Sequence, residues 1–91
     1  MKKSHIPATQ EIKDDKIIRT FSKDVNENEL KWHWDEKDRH VRILSHNDWF
    51  LQFDNQLPMK LDKGKSVFIK AGEWHRVIKG NTDLKVEIIE T

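Results

Sequence analysis

The chain has 91 residues, 35% hydrophobic and 36% charged, with a formal net charge of +1, no cysteine and four tryptophans. A single domain of this length buries a modest core beneath a strongly charged surface, and self-association is a reasonable expectation for it. Its mixed charges lack the clustered basic face that phosphate neutralisation needs, so nucleic acid is excluded as the expected partner, and without cysteine there is no disulfide or thiolate metal site. No apolar run approaches a membrane span or a signal segment, which sets a soluble, cytoplasmic protein as the expectation.

Residues 1–15 are polar and charged, with Pro7 and only Ile6 and Ile12 as larger apolar side chains, and read as a tail or an edge-hugging arm. The domain proper is expected over 16–91. Ile17-Ile18-Arg19-Thr20-Phe21 is rich in strand formers, and Asn26-Glu27-Asn28-Glu29 forms a turn or one helical turn. Leu30 to Asp35 alternates, with Leu30, Trp32 and Trp34 on one face and His33 and Asp35 on the other. Val41 to Leu44 is a strand, and Trp49 to Phe53 alternates again. Pro58 demotes the strand after it to an edge or a strand start. Ser66–Ile69, Trp74–Ile78 and Leu84–Ile89 complete the series, with glycine or Asx turns between them. Seven or eight short strands at regular spacing, with no sustained helical period, predict an all-β barrel or sandwich.

The most informative stretch is Gly64-Lys65-Ser66-Val67-Phe68-Ile69-Lys70-Ala71-Gly72-Glu73-Trp74-His75-Arg76-Val77. It reads as a glycine turn, a buried strand, a second tight turn and a strand that opens on a histidine. Gly64, Gly72 and His75 stand at the spacings of the second cupin motif, with Lys70 where proline is usual and Lys79 where asparagine is usual. Upstream, His33 matches the first histidine of the first cupin motif, and Asp35 replaces the second. Arg39 or His40 occupies the glutamate position, depending on whether three or four residues intervene. From Leu30 to Glu90 the chain resembles the cupin superfamily, its small single-domain members in particular. The resemblance implies a single-domain jelly-roll β-barrel with His75 pointing into its cavity.

His33 and Asp35, two apart on one strand, point the same way. The resemblance brings His75 to them from a facing strand. Two histidines and a carboxylate are the donor set of non-haem Fe(II) oxygenases, so His33, Asp35 and His75 are the candidate ligands of a divalent metal, Fe, Mn, Ni or Zn. His40 is a fourth ligand if the four-residue spacing applies. Strand parity argues otherwise: Arg39 shares the inward parity of Val41 and Ile43, and His40 does not. An inward Arg39 cannot ligate a metal, and it can pair with Asp35 or hold a small anion. Asp38 reads as a surface carboxylate pairing with Arg39 or Lys37, and His5 and His46 as solvated.

Two further residues depend on which face of the Trp49–Phe53 strand is inside. Gln52 joins the site if Phe50 and Gln52 face inward, and Trp49 lines the cavity if the apolar set does, as its composition favours. Trp32 and Trp34 fall opposite the His33 face, on the outer surface, where an apolar patch needs cover. That cover is a homodimer partner, or else the N-terminal arm through Ile12, Ile17 or Phe21. The expected function is a small metal-binding cupin acting on a small polar molecule. The alternatives are a non-catalytic module holding a small anionic ligand through Arg39, His33 and His75, and a structural or regulatory dimer with a vestigial site.

Overall fold

The structure, a computed structural model, describes residues 8–91. Among them lie eight strands: β1 (Thr9–Lys13), β2 (Lys16–Phe21), β3 (Arg39–Ile43), β4 (Phe50–Phe53), β5 (Met59–Lys60), β6 (Ser66–Ile69), β7 (His75–Ile78) and β8 (Leu84–Glu90). One 3-10 turn covers Glu27–Glu29, where the Asn26 side chain accepts the Asn28 N–H. All pairings are antiparallel. They form a five-stranded sheet, β1-β2-β8-β3-β6, and a three-stranded sheet, β5-β4-β7.

The expected all-β jelly roll is therefore present, but as two facing sheets and not as a closed barrel. The ladders share no strand pairing. The stretch expected as a strand from Leu30 to Asp35 explains much of the gap. It makes a β-bridge at a single position, His33 with His75, and otherwise belongs to no strand.

The N-terminal arm is an edge strand over its described part. β1 pairs with β2 through the two-residue turn Asp14-Asp15, whose φ angles are 49° and 66°. Positive φ at both positions is what a tight hairpin requires, and aspartate tolerates it better than most side chains. Ile12 is 72% exposed on β1 and does not cover the tryptophans. Residues 1–7, with His5, lie outside the described residues.

The core lies between the sheets. Ile43, Val67, Ile69, Leu84, Val86 and Ile88 come from the large sheet, and Leu51 and Phe53 from the small one. Trp49 is fully buried at one end, tilted against Phe21 with ring centroids 5.5 Å apart, and its Nε1–H donates to the Thr82 carbonyl. Gly80 is required beside it, since a Cβ there would meet the Asp48 side chain and lie 2.7 Å from the Asp48 carbonyl carbon.

Register decides which polar residues face inward. Arg39 pairs with Glu90, Val41 with Ile88 and Ile43 with Val86. Alternation on β3 then turns Arg39 toward the interior and His40 outward, where it packs at 5.0 Å on Phe68.

Candidate metal centre

His33 and His75 exchange backbone hydrogen bonds, His33 N–H to the His75 carbonyl at 3.0 Å and the reverse at 2.9 Å. Residues paired in this way point their side chains to the same face of a sheet. The two imidazoles accordingly lie with centroids 4.3 Å apart. Asp35 follows two residues after His33 and shares its direction. One donor atom from each of His33, Asp35 and His75 falls within 4.8 Å of the others.

The turn before β7 holds Asp35 in place. Gly72, at φ 82°, donates its N–H to the Asp35 carbonyl at 2.8 Å. Asp38 Oδ1 accepts the Ala71 N–H at 2.8 Å. Asp38 thus clamps this turn, which corrects its expected role as an ion-pair partner of Arg39 or Lys37.

Both histidines have a defined tautomer. His33 Nδ1 lies 2.9 Å from the Lys31 carbonyl, and His75 Nδ1 lies 2.8 Å from the Glu73 carbonyl. A carbonyl oxygen only accepts, so each Nδ1 carries a proton, and Nε2 is the ring nitrogen left to face the site. His75 is 3% exposed. Burial is the largest influence on it and lowers its pKa from the ordinary 6.5, with the Glu73 carbonyl acting in the opposite sense. It is therefore neutral at physiological pH.

Asp35 presents its two oxygens differently. Oδ1 lies 3.4 Å from Arg39 Nη1. Oδ2 is buried, has no hydrogen-bond partner, and lies 3.4 Å from His75 Nε2. A buried carboxylate oxygen without a hydrogen bond, beside a ring nitrogen, is an unfavourable arrangement. A cation shared by them resolves it, so the donor set fits a metal. Arg39 leaves Asp35 available because it is held more closely by Glu90, whose Oε2 accepts from Nε at 3.0 Å and from Nη2 at 2.7 Å.

These groups open on a cavity of about 520 Å³ between the sheets, lined also by Arg19, Glu29, Lys31 and the inward apolar residues of both sheets. Trp49 faces inward, as its apolar set predicts, yet it does not line this cavity, because it is packed into the core beyond Phe21. Gln52 lies on the outer face, accepting from Arg76 Nε at 2.9 Å and donating to the Gln56 carbonyl. Burial of Leu51 and Phe53 turns it away from the site. His40, the alternative fourth ligand, is also outside, and His46 is exposed in a loop.

Arg19, which lines the cavity, and Glu90, the register partner of Arg39, are given no role by motif spacing. Parity carries a signal for Arg19, since Ile17, Arg19 and Phe21 alternate and the two apolar residues pack against the core.

No protein-family model matches the chain, and no curated protein matches it. Solved structures do. An RmlC-like cupin with a double-stranded β-helix fold from Methanocaldococcus jannaschii superposes with a TM-score of 0.71 at 12% identity, covering 100% of this chain and 85% of that one. A cupin domain from Bordetella pertussis gives 0.64 at 21% identity, over 100% and 98%. A structure of FeII HppE gives 0.64 at 16% identity over 84% of this chain and 41% of that one, so this chain spans less than half of that protein. The chain has the cupin fold.

Proposed function

We propose that this chain is a small metal-binding cupin in which His33 Nε2, Asp35 Oδ2 and His75 Nε2 hold one divalent ion, Fe, Mn, Ni or Zn. The observation that carries the reading is the buried, unpartnered Asp35 Oδ2 facing Nε2 of His75 at 3.4 Å. The FeII form of a fold neighbour supports a metal as the occupant. The cavity beside the three donors suits a small polar molecule, and the bound metal would supply Lewis acidity or oxygen binding to its chemistry.

The chain's own residues do the rest. The Lys31 and Glu73 carbonyls fix the ring tautomers. Gly72 fixes the Asp35 backbone, and Glu90 keeps Arg39 from taking the carboxylate. The apolar inner faces of the sheets line the rest of the cavity.

Reconstitution with Fe(II), Mn(II), Ni(II) or Zn(II), followed by dialysis and elemental analysis, tests the reading. About one ion per chain is expected, lost when His75 is replaced by alanine. Less than a tenth of an ion after every reconstitution would instead favour a metal-free anion site built on Arg39, His33 and His75.

A further inference from the structure

Arg19 is the one inward-facing residue of β2 that is not apolar. Its register partners place it on the core face, with Ile17 opposite Ile88, Arg19 opposite Val86 and Phe21 opposite Leu84. It lines the same cavity as His33, Asp35 and His75.

The two cavity arginines are satisfied differently. Arg39 is neutralised by Glu90 at 2.7 Å and reaches Asp35 at 3.4 Å. Arg19 donates Nε and Nη2 to a single neutral acceptor, Gln10 Oε1, at 2.9 and 2.7 Å. No carboxylate among the described residues is hydrogen-bonded to it. Burial acts most strongly against its charge and Arg39 next, while Asp35 and Glu90 favour that charge only through space. Glu29 lines the cavity as well, with a contact of its own. A guanidinium keeps its charge even when desolvated, and a partly buried one without a bonded counter-charge attracts an anion strongly. Gln10 holds the side chain in position without cancelling that charge.

We propose that Arg19 is the docking cation for a small-molecule ligand bearing an anionic oxygen group, a carboxylate or a phosphonate, whose remaining atoms extend along the cavity toward His33, Asp35 and His75. The inference rests on the reading of the cavity as a small-molecule site and holds with or without a metal. It assigns a substrate class to that site: the anion is bound at Arg19, and the neutral part of the molecule is presented to the three donors.

Isothermal titration of the full chain with succinate, methylphosphonate and the neutral control succinamide tests it. The proteins are wild type, Arg19→Gln, Arg19→Lys, Gln10→Ala and the surface control Arg42→Gln, each checked by circular dichroism, with metal content measured on the same samples. At least one anion is expected to bind wild type. Its affinity should fall at least about tenfold in Arg19→Gln, as loss of a charged hydrogen bond implies. It should fall less in Arg19→Lys and in Gln10→Ala, which frees the side chain but leaves its charge, and hold in Arg42→Gln, and succinamide should not bind. Preference for succinate assigns a carboxylate ligand, and preference for methylphosphonate a phosphonate. Should Arg19→Gln fail to fold, weaker binding in Arg19→Lys with binding retained in Arg42→Gln supports the proposal, and equal binding in Arg19→Lys and wild type overturns it. Equal affinity in wild type and Arg19→Gln, or no binding of either anion, also overturns it. Anion binding lost in Arg19→Gln while metal content stays unchanged separates this site from the metal group. Anion binding in a chain that takes up no metal defeats the metal reading and leaves this one standing.

Discussion

His33 and His75 are joined by a mutual pair of backbone hydrogen bonds, at 3.0 and 2.9 Å, although neither neighbour of His33 belongs to a strand. That single bridge is what sets the two rings 4.3 Å apart on one face and carries Asp35 in behind them. The candidate site therefore depends on one local pairing and on the turn before β7 more than on a continuous ladder.

Asp35→Asn separates a functional carboxylate from a structural one. The substitution replaces an acceptor facing His75 Nε2 with an amide N–H able to donate to it. Metal content is expected to fall to background, while the metal-free protein gains about 1 kcal/mol, the net worth of one hydrogen bond. Urea denaturation of chelator-treated protein reads the second effect. A less stable metal-free variant would show that Asp35 serves the Arg39 ion pair and not a metal.

Asp38→Ala removes the carboxylate that receives the Ala71 N–H at 2.8 Å. A charge-assisted bond of this kind is worth about 2 kcal/mol. Because the same turn donates Gly72 N–H to the Asp35 carbonyl, metal affinity should drop about 10-fold as well, in the manner of supporting residues around a metal. Denaturant midpoints and metal competition with a chromophoric chelator measure the two effects. Unchanged affinity in a destabilised variant would confine Asp38 to a structural role.

Asp48 gives a pH dependence away from the site. The Asn81 N–H, donating at 2.8 Å to Oδ1, is the main influence holding its carboxyl below the ordinary 3.8, with Thr82 adding a weaker bond. Between the lowered folded value and the unfolded one, the unfolded chain binds more protons, so stability rises with pH there. The contribution is present above about 3.8 and is lost as pH falls through the folded value. Comparing acid denaturation of wild type with Asp48→Asn should show a shallower acid limb in the variant. An identical limb would mean the bond is equally present in the unfolded chain.

Much of this was readable in the residues. Gly64, Gly72 and His75 mark the turn–strand–turn–strand unit, and alternation on β3 correctly turns Arg39 inward and His40 outward. Alternation also describes Leu30–Asp35, but a side-chain pattern does not report whether a backbone partner lies alongside. Only His33 forms a β-bridge, so the expected strand is absent and the barrel stays open. β1 was hidden because its residues are exposed and polar, its strand character resting on pairing with β2 and on Asp14-Asp15 accepting positive φ. Trp49 shows the limit of face assignment: parity gives inside or outside, and only packing separates a cavity wall from the core beside it.

We also propose that the outer face of the small sheet is a homodimer interface. Trp32, Trp34 and Trp74 flank the His33–His75 bridge and are 39%, 48% and 48% exposed, with the Arg76 guanidinium 4.7 Å from the Trp32 ring centroid. An aromatic patch bordered by a stacked arginine has the make-up of an interface centre. Sedimentation equilibrium should give a dimer for wild type and a monomer for Trp34→Ser/Trp74→Ser. A monomeric wild type at 100 μM, or a dimer that persists in the double variant, would place the contact elsewhere or remove it.

The most direct test of the metal centre is an anomalous difference map from crystals of Mn(II)- or Zn(II)-loaded protein collected at the metal edge. One strong peak is expected, bonded to His33 Nε2, His75 Nε2 and Asp35 Oδ2. A map with no peak there, or with metal only at surface groups such as His46, would contradict it.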